Sequence, residues 1–316
     1  MKKKTSILVA SLLIMSLSAY ANSLTVESDT QEFNDTEHKI YLEGNVKVKT
    51  GDINVLSPRA VVDIDPKNNK VNNVKFKDNA YTYQMQDGKM HEIKAQILEM
   101  SLLKKQFSAD GNTISTITEK GKPVVIITAD KQEYNKNTGV MKANGNVNIV
   151  YKDVETFSQS ALVDLTKEND VKRIQLIGNA QLHQSGSKIS ANKLDYDNMK
   201  QEAVATGNVF TDITTDDNKK IKVWSDYQSY DKKANYMSAS GSTKIQYEDY
   251  TATGPKLNVY PDKITKKLNE AVFVGRSKIE TKGRTIEADR IVITMNPKDF
   301  KAEGNVKSVI PNIGGM

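Results

Sequence analysis

The chain has 316 residues, no cysteine, 38% hydrophobic residues and a formal charge of +6. Without cysteine no disulfide framework can form, so burial and hydrogen bonding must hold the fold. The charge is too small and too evenly spread to point to nucleic acid, and so low an apolar share in so long a chain predicts a thin, elongated body.

Residues 1–21 read as a secretory signal peptide. A basic MKKK start is followed by an apolar run and the small-x-small site AYA, which places cleavage after Ala21. Loss of its three lysines lowers the formal charge from +6 to +3. An uncleaved membrane anchor is the alternative, although the run is shorter than the roughly 20 residues a spanning helix needs.

From residue 40 onward one pattern recurs, a small residue followed by Gly-Asn-Val inside an apolar alternation. Its anchors are Gly44, Asp78, Gly111, Gly145, Gly178, Gly207, Gly241, Gly275 and Gly304. These are about nine repeats of ~33 residues, a period that has to be recognised before any single element is assigned. Apolar residues stand two and four places before each anchor, as Leu42 and Ile40 do, and two and four places after it, as Val46 and Val48 do. Such alternation is a strand with one buried face. The glycine shares the parity of the buried residues, so it reads as inward-facing at a crease where a side chain would meet the opposite wall. Gly-Asn in ordinary hairpin turns is the competing reading. After Gly111 the segment NTISTI slips out of this register.

Between anchors lies a seven-residue element, small-x-x-apolar-x-(Val/Tyr/Met/Ile)-polar. Its eight copies start at Ser57, Ala95, Ala129, Ser158, Ala191, Ser225, Gly254 and Ala288. Two places before each start stands Val55, Ile93, Ile127, Thr156, Ile189, Val223, Ala252 or Ile286, with Thr156 the only polar member. The apolar parity flips inside every copy. An extra residue in a bulge near Pro58–Arg59, Asn192–Lys193 and Asp289–Arg290 would restore a single face and bend the strand. Polar turn formers such as DPKNNK (65–70), NKNTG (135–139) and DNMK (197–200) separate the strands, and KAQILEMSLLKKQF from Lys94 is strand by its place in the repeat. The first strand, near 40–49, and the last, near 300–310, should each keep one unpaired edge.

Chemistry finds little support. His38, His91 and His183 lie far apart in the repeat, with no triad or metal spacing, so neither catalytic nor metal-binding residues are assigned and no cofactor is expected. Tyr134, Tyr196 and Tyr230 share an inward column, as core residues or as rim residues touching a headgroup. Trp224 and the lysines Lys47, Lys49, Lys75 and Lys77 face outward by parity.

A signal peptide followed by tandem GNV strands alternating with elements such as ANKLDYD resembles the LptA/OstA-like family of lipopolysaccharide export, over residues 40–310. The resemblance implies an all-β, V-shaped antiparallel β-jellyroll with no helix beyond the leader, located in the periplasm. It further implies an apolar trough that shields lipid A acyl chains, edge strands that join LptC-like and LptD-like jellyroll domains, and head-to-tail self-association. Residues 22–310 would form one elongated jellyroll or two fused units, with 311–316 a flexible tail. The chain is longer than a minimal jellyroll of that family and lacks the large C-terminal barrel of its outer-membrane member. The inward parity assigns the trough to Val46, Val55, Phe76, Ile93, Leu98, Phe107, Ile127, Val147, Leu176, Ile189, Leu194, Val223, Phe273, Ile286, Ile291 and Ile293, and the crease to Gly44, Gly145, Gly178, Gly207, Gly241, Gly275 and Gly304. A structural or adhesive β-repeat with a filled core is the rival function, and an enzyme on a β-solenoid comes last.

Overall fold

Period-two alternation interrupted by left-handed residues gives strands that keep one buried face through a bend. The computed structural model describes residues 24–310 apart from 87, 152, 167–170, 185, 215–217, 263–267, 282 and 296. The expected signal peptide, its cleavage site and the tail 311–316 lie outside the described residues. Among the described residues there are twenty strands and no helix, hence no helix long and apolar enough to cross a membrane. The chain divides into two compact units, residues 1–174 and 175–316.

The first unit holds β1 (Thr25–Glu27), β2 (Thr30–Asn34), β3 (Lys39–Thr50), β4 (Ile53–Ile64), β5 (Val71–Gln86), β6 (Lys89–Ser101), β7 (Gln106–Glu119), β8 (Lys122–Asn135), β9 (Val140–Tyr151) and β10 (Val154–Leu165). From β3 to β10 each strand pairs antiparallel with the next. The segment from Lys94 is indeed strand, turning only after Ser101. β1 and β2 are the two arms of one bent strand, and both pair with β3. The expectation that β3 is an open edge is therefore corrected. Residues 28–34, SDTQEFN, form a further copy of the seven-residue element and cover it.

The division between units falls within β11 (Val171–Gln184). The second unit continues with β12 (Ser187–Asp197), β13 (Glu202–Thr214), β14 (Lys220–Asp231), β15 (Tyr236–Tyr247), β16 (Tyr250–Pro261), β17 (Leu268–Thr281), β18 (Arg284–Met295), β19 (Lys298–Glu303) and β20 (Lys307–Val309). Pairing is again antiparallel between neighbours from β12 to β18, and β19 and β20 both pair with β18 as the arms of a last bent strand. Along this last strand Val306, Val309 and Ile310 are more than half exposed.

The bend has one construction throughout. Every crease glycine has φ between +74° and +92°, and at most anchors the next residue is left-handed too, as Asn146 is at +48°. Glycine and asparagine tolerate that region best, which explains the pair. Asp78 and Asn79 take the same conformation without a glycine, with Arg59 paired to the Asp78 carboxylate at 2.5 Å.

The registers locate the surplus residue. Glu43 pairs with Arg59 and Val46 with Ser57, so Gly44 and Asn45 stand opposite Pro58 alone. The same two-for-one count holds at 206–209 against 225–227 and at 274–277 against 288–290. The irregularity falls where the parity flip puts it, and Val55 and Val62 share the buried face. The extra residue, however, sits on the glycine strand and not on the seven-residue element. The short strand flips parity because it spans the bend with one residue fewer.

A second correction concerns what the glycine avoids. A Cβ on Gly145 would lie 2.0 Å from Asp130 Oδ2 and 2.8 Å from Asp130 Cβ, on the neighbouring strand and not on an opposite wall. The second residue of the seven-residue element lies over the next glycine in the same way at Gly44, Gly111, Gly207, Gly241 and Gly304. The asparagine then ties it down, with Asn146 Nδ2 donating to Asp130 at 3.2 Å, Asn45 Nδ2 to Asp29 at 3.0 Å and Asn305 Nδ2 to Asp289 at 2.7 Å. Gly-Asn is thus the receiving half of a latch between strands.

Candidate functional site: the apolar interior

The two arms of each bent strand contribute to one interior. In the second unit a single packed cluster joins Val223, Ile245 and Ile279, before or after the bend of their strands, to Leu257, Phe273, Ile291 and Ile293 on the other arms. Burying a side chain of this size contributes about 1.5–3 kcal/mol, so the cluster carries much of that unit's stability.

The sixteen residues assigned to the trough all face inward. Thirteen are at most 7% exposed, whereas Ile189, Leu194 and Ile286 are half-buried. In the second unit Ile189 and Leu194 pack against a small buried cluster of Ala191, Ala205 and Val209, whose side chains are shorter than Phe273 and Leu257 of the larger cluster. The interior is therefore lined as the sequence predicts, but it is largely filled by its own side chains. Ile189, Leu194 and Ile286 are the least covered of the assigned residues.

Two polar crosslinks inside the crease escaped the sequence reading. After Gly111 the register does not slip. Thr113 and Ser115 occupy inward positions, both 0% exposed, while Ile114 points out at 43%. Gln132 accepts from Ser115 Oγ at 2.7 Å and donates from Nε2 to Thr113 Oγ1 at 2.8 Å, while Thr113 Oγ1 donates to the Ala129 carbonyl at 2.8 Å. The same amide reaches the Ile127 carbonyl at 3.4 Å, across the bend of its own strand. Gln228 repeats this in the second unit, accepting from Thr211 Oγ1 at 2.6 Å and reaching the Val223 carbonyl at 3.5 Å. A glutamine in the apolar column, with hydroxyls at the matching places two and four beyond the glycine, was the available signal.

The tyrosine column is confirmed in position. Tyr134 and Tyr196 are buried, and half-buried Tyr230 donates to Asn235 Oδ1 at 2.7 Å. Burial raises all three phenol pKa values, so each hydroxyl stays protonated at neutral pH. Trp224 lies on the outer face against Phe210, with ring centroids 5.1 Å apart and Lys244 Nζ 5.2 Å from its ring. His38 is in a turn, His91 is buried on β6 and His183 is on β11. Among the described residues no group of three or more His, Cys, Asp or Glu could hold a metal.

Bent antiparallel strands around an apolar interior define the class, an all-β repeat scaffold with two compact units. Residues 25–122 match the family described as "LptA/(LptD N-terminal domain) LPS transport protein", so the resemblance read from the repeats holds for that stretch. Among solved structures the chain is similar to LptH, the LptA homologous periplasmic component of the lipopolysaccharide transport device from Pseudomonas aeruginosa. Identity is 13% and the TM-score 0.35, over 41% of this chain and 95% of that one. The comparison with curated proteins finds no match.

Proposed function

We propose that the protein is a periplasmic lipopolysaccharide-binding bridge component, whose apolar interior shields acyl chains between the inner and outer membranes. What carries the reading is the apolar inner face of strands bent back on themselves, which includes the stretch matched to the transport family. The interior is closed by its own side chains, so loading requires the arms to part. Acyl chains would first meet the half-buried Ile189, Leu194 and Ile286. Partners of LptC-like and LptD-like jellyroll type, or a second copy head to tail, would add strands at the outermost edges. No covalent chemistry on the lipid belongs to this role.

A filled structural or adhesive repeat is the second reading, and the near-complete burial of thirteen trough residues favours it. Photocrosslinkable residues at positions 189, 194 and 286 separate the two, with the outer position 224 as control. Lipid adducts at the first three and none at 224 support the bridge. Equal labelling everywhere, or none in protein purified from cells, would leave only the filled scaffold. Ile189→Asp should also abolish lipid recovery, because an unpaired carboxylate is costly to bury. N-terminal sequencing of exported protein should begin at Asn22.

A further inference from the structure

In the second unit the bends close one side of the interior, and the turn ends of the two arms lie on the other. On one arm β15 and β16 end at the turn Glu248–Asp249. On the other arm β18 ends at Met295 and β19 begins at Lys298. Tyr250, Ile286, Met295 and Phe300 form a half-buried rim on the cluster that contains Phe273 and Ile291.

Side chains join the two rims. Lys298 Nζ pairs with Asp249 and, at 2.7 Å, with Glu248, which Lys219 also holds at 3.1 Å. The same ammonium lies 4.5 Å from the centre of the Tyr250 ring, and Tyr250 meets Phe300 edge-on at 5.7 Å and 85°. In the sheet β17 and β18 separate β16 from β19, and β19 pairs with 290–295, beyond the bend. These contacts therefore cross the opening and do not follow the hydrogen-bond ladder. Lys298 has the inward parity of Phe300, which pairs with buried Ile293. Its stem leaves from the interior side and its charge ends on the opposite arm.

This is the least costly place for the arms to part. The crease is continuous backbone, tied by the glycine latches and by Gln228. At the rim Lys298, Glu248 and Asp249 all keep some contact with water, and partly exposed ion pairs contribute little net stability. Separated, these charges regain hydration, whereas prising apart Phe273 and Ile291 would expose fully buried apolar surface. We propose that an alkyl chain enters the second unit between the 248–249 turn and β19, and that Lys298 is the clasp holding this entrance shut. It rests on the reading above, in which the interior takes acyl chains.

The test uses the full chain, which has no cysteine of its own. Ile279→Cys places a thiol behind the clasp and Thr243→Cys one beside the crease, both at positions at most 1% exposed. Lys298→Met should speed N-ethylmaleimide labelling at 279 about fivefold, as for two partly exposed ion pairs, and leave 243 unchanged. No change at 279 overturns the clasp. An equal rise at 243 overturns it too, because that is a general loss of stability. Entry is read with palmitate carrying a photoreactive diazirine. In the double variant Asp249→Cys, Lys298→Cys a short bismaleimide joins the arms across the opening. Palmitate adducts within 268–295 are expected before that crosslink and should be lost after it. Adducts that survive it place the entrance elsewhere and overturn the proposal. If 279 responds to Lys298→Met while palmitate labels no inward residue in any form, the clasp stands and the acyl-chain reading falls.

Discussion

Replacing Gly145 with alanine isolates the latch between strands. The residue has φ +74°, which costs an L-residue about 1–2 kcal/mol. Its new Cβ would fall 2.0 Å from Asp130 Oδ2, 2.6 Å from Cγ and 2.8 Å from Cβ. Rotating Asp130 relieves the first two contacts but breaks its bonds to Asn146 at 3.2 and 3.3 Å, worth about 0.5–1 kcal/mol at an exposed site. The Cβ–Cβ contact is fixed by the backbones, so β8 and β9 must part locally, for roughly 1 kcal/mol more. The sum is about 3 kcal/mol. Gly121 is the internal control, with the same φ of +74° and nothing within 4 Å of an added Cβ, so Gly121→Ala should cost only the dihedral share, about 1–2 kcal/mol. Native-state hydrogen exchange of the peptide covering 125–151 measures both, without requiring the two units to unfold as one. Asp130→Gly in the Gly145→Ala background should recover the steric share. Equal costs at Gly121 and Gly145 would refute the latch.

Three further outcomes are expected. Gln132→Ala leaves the buried Ser115 hydroxyl without its acceptor, while Thr113 keeps its bond to the Ala129 carbonyl, and should cost about 1–3 kcal/mol, whereas Gln132→Leu with Thr113→Val and Ser115→Ala should be near neutral; similar melting losses for both would show that the crosslink does not matter. Lys298 and Lys219 hold the Glu248 carboxyl below the ordinary carboxylate range, so its stabilisation is full above the unfolded pKa and is lost as pH falls through the lower folded value. The protection factors at 247–250, that is exchange corrected for its intrinsic pH dependence, should fall on acidification in wild type and fall less in Lys298→Met, where Lys219 still holds Glu248; an unchanged profile in the variant would count against the ion pairs. Deleting residues 22–34 strips β1 and β2 from β3 and should change head-to-tail association in sedimentation runs; identical association with and without them would exclude that edge as a joint.

Strand type, bend positions and the inward column were legible because both signals are periodic. The parity at Val55 and Val62 suffices to show that the strand bends. Parity cannot say which partner carries the surplus residue, because that is a property of the pair. Nor can it say where a missing side chain would point at Gly145, since at φ +74° the Cβ direction departs from that of a regular strand. The NTISTI segment misled because Ile114 is exposed while Thr113 and Ser115 are buried, a reversal that makes sense only with Gln132 in place. The copy at SDTQEFN was missed for a different reason. β2 lies at an edge with mostly exposed residues, and Gln31 holds the column position that Gln132 and Gln228 hold in the interior, so no apolar residue there marks the copy.

The one-residue surplus of the glycine strand at each described bend has a consequence for how copies could meet. Glycine strands and their shorter partners alternate, and the outermost described strands are of opposite kinds. β1–β2 is a short-count strand whose Asp29 already rests on Gly44, and β19–β20 is a glycine strand whose Gly304 lies under Asp289. Two copies can extend the alternation only by setting β19–β20 of one against β1–β2 of the other, because like ends would bring two surplus residues, or two deficits, face to face. A chain of such copies would have a direction written into its hydrogen-bond count, with a growing end that differs from the starting one.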